Sequence, residues 1–293
     1  MFAITGITGQ VGGQLAGRLL EAGLPVRAVV RDAVKGEAWA ARGCEVALAA
    51  MDDAAALTAA FRGATAVFVL LPPVFDPTPD AAETRRHIAA LTQALAAGRP
   101  GRVVALSTIG AAATEPNLLS KLGEMENALG KLDLPVAFLR AAWFMENLAW
   151  DVVPARDTGL MASYLQPLDR AIAMVATADV AETAASLLRE DWTGHRVVEL
   201  EGPSRVAPAD LARALAGALG RPVRAEAVPR DAWEARFRRD GMRNPGPRMR
   251  MLDGFNEGWI DFDAGTSRKG CTTLDEVARG LVQRFQADGE FKP

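Results

Sequence analysis

Short apolar runs alternate with segments of helical spacing along most of the chain, and this alternation predicts the fold class. The runs have the length of strands, and residues 66–71 are apolar at every position, as is typical of a strand covered on both faces. Between the runs, apolar residues recur every three or four positions. The pattern favours an α/β protein with a doubly wound parallel sheet and right-handed crossovers. The predicted strands occupy residues 1–5, 25–30, 46–50, 66–71, 103–108, 136–140 and 195–200.

The alternation is interrupted in two places, which predict a second, smaller lobe. Residues 155–171 are expected to be irregular, and a different succession of short helices and strands follows residue 203. One helix is expected to begin in the stretch Thr177–Glu182, where Asp179 and Glu182 have the spacing of a capping box, and a last helix is expected to begin at a capping box of Thr273 and Glu276. We predict a core with the doubly wound sheet at residues 1–154 and 172–202, and a C-terminal substrate or partner lobe at residues 155–171 and 203–293.

A glycine-rich turn joins the first predicted strand to the first predicted helix. Gly6, Gly9 and Gly12 stand at every third position there. Glycines at such a junction allow a tight turn and let a phosphate approach the backbone, and the free amides of the helix start bind a pyrophosphate. An ordinary turn before an ordinary helix is the alternative. We predict a dinucleotide site, and its residues in this turn are Gly6, Thr8, Gly9, Gln10, Val11 and Gly12.

The end of the second predicted strand indicates which dinucleotide binds. In a dinucleotide fold, an acid about 20 residues beyond the glycines accepts a hydrogen bond from the ribose, whereas an arginine pairs with a 2′-phosphate. Arg31 occupies this position, and Asp32 follows it. NADP is favoured over NAD, although a solvated arginine explains Arg31 as well. Leu71 and Pro72 end the strand at 66–71 and are expected to contact the nucleotide, or else to form only a rigid turn.

Composition narrows the range of functions. The 293 residues carry a net charge of −3, which gives no electrostatic case for binding nucleic acid or a membrane surface. The two cysteines and two histidines form no metal-ligand spacing, so no metal site is expected. No apolar run reaches membrane-spanning length, and we expect a cytoplasmic protein.

The glycine turn and Arg31 are accompanied by further characteristic segments, which are Ser107-Thr108, Lys121, residues 144–148 and residues 178–181. Together these segments resemble the NmrA-like branch of the atypical short-chain dehydrogenase/reductases, and the likeness covers nearly the whole chain. The resemblance implies a Rossmann core that binds NADP and a small substrate lobe. Members of the branch include quinone and azo-compound reductases and also redox-sensing regulators without known turnover.

One departure from the family pattern bears on the chemistry. Typical short-chain reductases place a tyrosine four residues before the lysine, and the phenol donates a proton to a carbonyl oxygen. Lys121 is present, but Asn117 stands at the tyrosine position. Carbonyl reduction by that mechanism, and epimerase activity, are therefore disfavoured. Quinone reduction demands less, because hydride addition gives a delocalised phenolate that water, Lys121 or Ser107 can protonate or hydrogen-bond.

The remaining site residues follow from this hypothesis, and each has a simpler explanation. Ser107 and Thr108 are expected to line the nicotinamide crevice, or only to satisfy backbone groups at a strand end. Lys121 is expected to bind the ribose or polarise the substrate, or to be a surface lysine paired with Glu124. Trp143 and Phe144 are expected to form an apolar wall for a flat ring, or to belong to the core.

We therefore predict an NADPH-dependent reductase of a small quinone-like or other aromatic electrophile. The alternative from another class is an NADP(H)-sensing regulatory protein that binds a protein partner without turnover. The arginine-rich stretch Arg236 to Arg250 is expected to be a solvated, irregular face; a mobile basic lid over an anionic substrate and a docking surface are the alternatives. The sequence leaves the oligomeric state open.

Overall fold

The computed structural model describes residues 1–263 and 265–288. Among these residues the strands are β1 (Phe2–Ile4), β2 (Val26–Val30), β3 (Glu45–Leu48), β4 (Ala66–Val69), β5 (Val103–Thr108), β6 (Val136–Ala141), β7 (Trp143–Phe144), β8 (Leu160–Ser163), β9 (Met174–Val175), β10 (His195–Glu201), β11 (Arg224–Ala227) and β12 (Arg268–Lys269). The helices are α1 (Gln10–Glu21), α2 (Ala33–Ala40), α3 (Ala54–Phe61), α4 (Ala82–Gly98), α5 (Ser120–Leu129), α6 (Ala149–Thr158), α7 (Thr177–Arg189), α8 (Pro208–Leu219), α9 (Trp233–Arg239), α10 (Gly246–Glu257) and α11 (Leu274–Asp288).

The main sheet has the strand order β12-β10-β6-β5-β4-β1-β2-β3. Strand β1 lies between β2 and β4 and is parallel to both, with Ile4 opposite Ala28 on one side and Phe68 on the other. The order of the strands reverses beside β1, and in an open α/β sheet ligands bind beyond the carboxyl ends of the strands at this place. The predicted doubly wound Rossmann sheet is confirmed.

The strands pair in this order because their side chains alternate between two covered faces. On one face Val67, Val103 and Val136 are fully buried against α3, α4 and α5. Leu91 and Leu95, which the helical spacing places on one side of α4, are fully buried in the same cluster. The apolar periodicity of the sequence therefore corresponds to the core that fixes the sheet.

The chain divides into two compact units. The first unit comprises residues 1–112, 119–141 and 180–199, and the second comprises 113–118, 142–179 and the chain from residue 200 onward. Within the second unit β7 pairs with β9, and β8 pairs with β11. The predicted core also included residues 113–118, 142–154, 172–179 and 200–202, which this division places in the second unit. The assignment of a cofactor core and a substrate or partner lobe stays a prediction.

Two stretches expected to be irregular are regular in part, so these expectations were wrong for the helical and strand residues within them. Residues 155–171 contain the end of α6 and strand β8, which pairs with β11 about 60 residues further along the chain. Such long-range pairing is invisible to local pattern. The stretch from Arg236 to Arg250 contains the end of α9 and the start of α10, joined by residues 240–245.

The two predicted capping boxes had different outcomes. The box at Thr273–Glu276 is confirmed, since a Glu276 carboxylate oxygen accepts from the Thr273 amide at 2.7 Å and the Glu276 amide donates to Thr273 Oγ1 at 3.3 Å. The helix expected in the stretch from Thr177 is confirmed, since α7 begins at Thr177. The capping box of Asp179 with Glu182 is wrong, because Asp179 lies inside α7 and its carboxylate accepts from the amide and hydroxyl of Thr272. The Glu146 carboxylate accepts from the Thr177 amide at 2.9 Å, so a residue outside α7 caps the start of this helix.

No helix of the described residues is long and apolar enough to span a membrane.

Candidate nucleotide site

The glycine turn brings helix α1 into backbone contact with the end of β1. A β-carbon at Gly12, in the first turn of α1, would lie 2.3 Å from the carbonyl oxygen of Gly6. Gly6 has a φ of +61°, and a β-carbon there would lie 2.7 Å from Leu70 Cδ2. The Gly9 amide donates to the Gly6 carbonyl at 2.9 Å and closes the turn. Glycine is therefore required at position 12 by contact with the backbone, and at position 6 by its left-handed backbone conformation.

The start of α1 is open toward the predicted diphosphate position. Gly9 is the residue before the helix and provides no side-chain cap, and the first turn contains no acidic residue. Thr8, Gly9 and Gln10 are exposed. The first amides of a helix have no acceptor within the helix, and they carry the positive end of its dipole. This arrangement is suited to an anion such as a diphosphate.

Thr5 is a residue of this site that the pattern reasoning missed. Its buried hydroxyl donates to the Phe68 carbonyl and accepts from the Leu70 amide, both at 3.2 Å. The hydroxyl thereby ties the end of β1 to the end of β4, directly before Leu71 and Pro72. Leu71 is buried and Pro72 is half-buried. The sequence did contain a signal for this role, because Thr5 is a polar residue between the apolar run of β1 and the glycine turn.

The structure distinguishes the two adjacent charged residues after β2. Asp32 accepts from the Val34 amide at 2.9 Å and so caps α2. Arg31 is exposed, and its side chain makes no hydrogen bond or ion pair within residues 1–263 and 265–288. The carboxylate is thus occupied by its own helix, while the guanidinium has all its donors available.

Ser107 belongs to a buried ionic network in the first unit. Its hydroxyl donates to Glu126 at 2.5 Å, and Glu126 accepts two hydrogen bonds from Arg140 at 2.6 and 2.9 Å. Ser107 and Arg140 are opposite each other on β5 and β6. Hydrogen bonds from Arg140 to Glu126 raise the pKa of Arg140 above its usual range. Ser107 would have to release Glu126 before it could donate a proton to a substrate.

Lys121 also has an internal partner. Its ammonium group donates to Glu124 one turn further along α5, and Glu124 accepts from Arg85 at 3.3 Å as well. Burial raises the pKa of Glu124, but the hydrogen bonds from Lys121 and Arg85 lower it more. The contact is the one expected if Lys121 is a surface lysine paired with Glu124, and Lys121 would have to leave Glu124 before it could bind a ligand.

Asn117, at the tyrosine position of the typical reductases, is buried and donates to the Glu115 carbonyl at 2.8 Å.

The other predicted residues are partly accessible. Thr108 is half-buried and, within the described chain, its side chain has no hydrogen bond. In the second unit Trp143 and Phe144 are half-buried, and Trp143 packs edge-on against Phe255 with ring centroids 5.1 Å apart. Trp143 and Phe144 are therefore partly packed in the second unit and partly accessible to solvent.

Among the described residues no group of three or more His, Cys, Asp or Glu side chains is arranged to hold a metal ion.

Asp151 has an unusual environment that the sequence did not indicate. It lies in the first turn of α6, is half-buried, and makes no side-chain hydrogen bond or ion pair within the described residues. Burial raises its pKa to about 7. A helix start favours an ionised carboxylate, so desolvation outweighs the dipole here. Burial depends on tertiary packing and leaves no local signal in the sequence.

Comparison with known proteins connects this geometry with a family. The profile of the NmrA-like family matches residues 1–237. An NAD(P)H azoreductase from Xenophilus azovorans is 30% identical over 230 residues, which are 78% of this chain and 77% of that protein. A (4-alkanoyl-5-oxo-2,5-dihydrofuran-3-yl)methyl phosphate reductase from Streptomyces griseus is 35% identical over 242 residues, 79% of this chain and 78% of that protein.

A solved structure extends the similarity to the fold of nearly the whole chain. The NADPH-dependent quinone oxidoreductase from Escherichia coli, solved in complex with NADPH, superimposes with a TM-score of 0.80 at 26% identity. The match covers 96% of this chain and 99% of that one.

The contact between Gly12 and Gly6 can be tested against a second glycine of the same helix. Gly12→Ala should lower the melting temperature by several degrees, because overpacking of this kind costs about 1–3 kcal/mol. Gly17→Ala is the control, since a β-carbon at Gly17 has only an ordinary contact, 3.5 Å from Arg42. It should leave stability unchanged or raise it. Equal melting temperatures for the two variants would contradict the contact.

The environment of Asp151 predicts a pH-dependent stability. Because its pKa is about 7 when folded and near 3.9 when unfolded, the folded chain retains the extra proton between these values. The stabilisation is complete below about pH 4 and is lost as pH rises to about 7. Asp151→Asn should therefore gain melting temperature relative to the parent protein as pH rises from 5 to 8.

Asp157→Asn on the same helix is the control for this experiment. A hydrogen bond from Arg156 lowers the pKa of Asp157, so its contribution is present at neutral pH and disappears in acid. Asp157→Asn should give no gain at pH 8. A difference between Asp151→Asn and the parent that is the same at pH 5 and pH 8 argues against the buried, neutral carboxyl.

Proposed function

This chain belongs to the NmrA-like family, and we propose that it is an NADPH-dependent reductase that transfers hydride to a small quinone-like or other aromatic electrophile. The observation that carries the proposal is the open glycine turn followed by a free Arg31. The similarity to an NAD(P)H azoreductase and to a quinone oxidoreductase solved with NADPH supports it. A small-molecule substrate and a cytoplasmic location are parts of the same proposal.

The cofactor is assigned to residues of the first unit. The site fits a diphosphate, because side chains are excluded at Gly6 and Gly12 and the first amides of α1 are uncapped. The turn residues Thr8, Gly9, Gln10 and Val11 complete this cradle. Arg31 binds the 2′-phosphate. Leu71, Pro72, Ser107, Thr108 and Lys121 line the remainder of the crevice, and bound NADPH supplies the hydride.

The side chains favour a reaction that needs little acid catalysis. No tyrosine precedes Lys121 by four residues, and the Ser107 proton is held by Glu126. A quinone accepts hydride to give a delocalised phenolate, which is weakly basic and can be protonated by water. Lys121 donates a hydrogen bond to the phenolate oxygen once it leaves Glu124, and Ser107 does the same once it leaves Glu126. Trp143 and Phe144 provide an apolar wall for a flat ring.

The alternative function is an NADP(H)-sensing regulatory protein with a protein partner. The occupied state of Ser107 and Lys121 favours this alternative, because both predicted catalytic groups are bonded to carboxylates in the protein itself. In that case the nucleotide would bind at the same turn. A measurement of NADPH oxidation distinguishes the two functions, because only the reductase oxidises the bound nucleotide catalytically.

Arg31 should decide the choice of cofactor. A charge-assisted bond of guanidinium to phosphate contributes about 1.5–3 kcal/mol, so Arg31→Asp should weaken NADPH binding about ten- to a hundredfold. NADH binding should improve, because aspartate accepts from the 2′-hydroxyl. Arg62→Asp makes the same change in net charge at another exposed position of the first unit and should leave both affinities unchanged. Calorimetric titration measures the six affinities of the parent and the two variants for NADPH and NADH, and an unaltered preference in Arg31→Asp contradicts the assignment.

Reductase activity is tested with a panel of acceptors. Purified protein saturated with NADPH is mixed with naphthoquinones, azo dyes and phosphate esters of unsaturated lactones, the last because one relative is named for such a phosphate. NADPH oxidation is followed by absorbance. We expect oxidation faster than in protein-free mixtures with at least one acceptor class. If NADPH binds but no acceptor raises the rate above this background, the regulatory function replaces the reductase.

A further inference from the structure

Helix α5 approaches the segment after β5 so closely that one of its residues has to be glycine. A β-carbon at Gly123 would lie 2.4 Å from the carbonyl oxygen of Ala111, whereas real β-carbons essentially never come within 3.0 Å of such an atom. Ala111 belongs to the short 3-10 helix Ile109–Ala112, which directly follows β5. Because a backbone carbonyl cannot turn aside as a flexible side chain can, this contact fixes the distance between the two segments.

Residues assigned to the nucleotide crevice stand on both sides of this contact. Ser107 and Thr108 end β5, immediately before the 3-10 helix that contains Ala111. Lys121 lies in the first turn of α5, two residues before Gly123. All of these residues belong to the first unit. The contact of Gly123 with Ala111 therefore sets how far the backbone of Lys121 is from the end of β5.

The later part of α5 is fixed by other contacts. Met125 and Leu129 are fully buried in the core cluster of the first unit. Glu126 accepts from the Ser107 hydroxyl at 2.5 Å and from Arg140 at 2.6 Å. Since these contacts hold the helix from residue 125 onward, a β-carbon at position 123 has to be accommodated mainly by a shift of the helix start. Lys121 lies in the part that shifts.

We propose that Gly123 is a positioning residue of the nucleotide site, whose backbone contact with Ala111 holds Lys121 within reach of the NADPH ribose. A hydrogen bond tolerates a deviation of only a few tenths of an ångström from about 2.9 Å, so a displaced helix start weakens this bond. The inference rests on the role that the proposed function gives to Lys121. It adds a residue that acts on the cofactor without touching it.

The first measurement is the affinity for NADPH. Lys121→Met should weaken the binding of NADPH about tenfold, as expected for the loss of one hydrogen bond from a charged group. Gly123→Ala should weaken it about threefold to tenfold, because a change of rotamer lets the lysine stem follow part of the displacement. Calorimetric titration measures both affinities. Parent affinity in either variant would overturn the positioning role.

Gly101→Ala is the matched control for general strain. A β-carbon at Gly101 would lie 2.6 Å from the carbonyl oxygen of Thr65. Gly101 also belongs to the first unit, but it precedes β5 and so lies at the opposite end of this strand from Ser107. Both glycine variants should melt at a lower temperature than the parent, because each places a carbon against a carbonyl oxygen. Only Gly123→Ala should lose affinity when the titrations are made well below both melting temperatures. Equal losses of affinity would show a merely structural effect and reject the proposal.

A double-mutant cycle tests whether Gly123 acts through Lys121. If it does, Gly123→Ala combined with Lys121→Met should bind NADPH as Lys121→Met does alone, because no ammonium group is left to position. Losses that multiply would show that position 123 affects the nucleotide independently of Lys121, and they would overturn the inference.

These titrations need no turnover, so the inference and the reductase function can fail separately. A protein that shows the expected cycle but oxidises NADPH with no acceptor would keep Gly123 as a positioning residue and reject the reductase. A protein that reduces quinones, and in which Gly123→Ala binds NADPH as tightly as the parent, would lose the positioning residue and keep the reductase.

Discussion

Helix α1 approaches the end of β1 so closely that Gly12 has no room for a β-carbon against the Gly6 carbonyl. This backbone contact sets where α1 begins and which of its amides face outward. Thr5 adds the second tie, by joining the same strand end to β4 through two hydrogen bonds. Where the strand order reverses, the start of α1 has no side-chain cap and no acidic residue in its first turn. The rest of the nucleotide site is arranged around this constraint.

The residues assigned to cofactor binding and those assigned to catalysis differ in whether they already have partners within the protein. The groups assigned to holding are free, because the first turn of α1 has no cap and Arg31 has no acid partner in the described chain. The groups assigned to catalysis are occupied, since Ser107 donates to Glu126 and Lys121 donates to Glu124. A reaction with a weakly basic product is compatible with this arrangement. The protein then contributes positioning beside the cofactor, which is a large part of many catalysed rates.

The sequence predicted those features that depend on local pattern. Apolar alternation gave the parallel sheet, the glycine spacing gave the turn, and Thr273 with Glu276 gave a helix start. Features that depend on distant partners were missed or misassigned. Strand β8 requires β11, and the cap of α7 comes from Glu146, 31 residues earlier in the chain. The bond from Ser107 to Glu126 likewise depends on tertiary packing, because the sequence does not show which side chain a carboxylate meets.

Under the proposed function, NADPH bound at the glycine turn passes hydride directly to an aromatic electrophile without a tyrosine acid. This transfer is tested by a single turnover of the protein loaded with NADPH that carries deuterium at one or the other C4 position, mixed rapidly with a naphthoquinone. We expect fast oxidation that deuterium slows at only one of the two positions, with deuterium lost from the cofactor at that position alone. Oxidation at the protein-free rate, or equal sensitivity to both labels, would rule this transfer out.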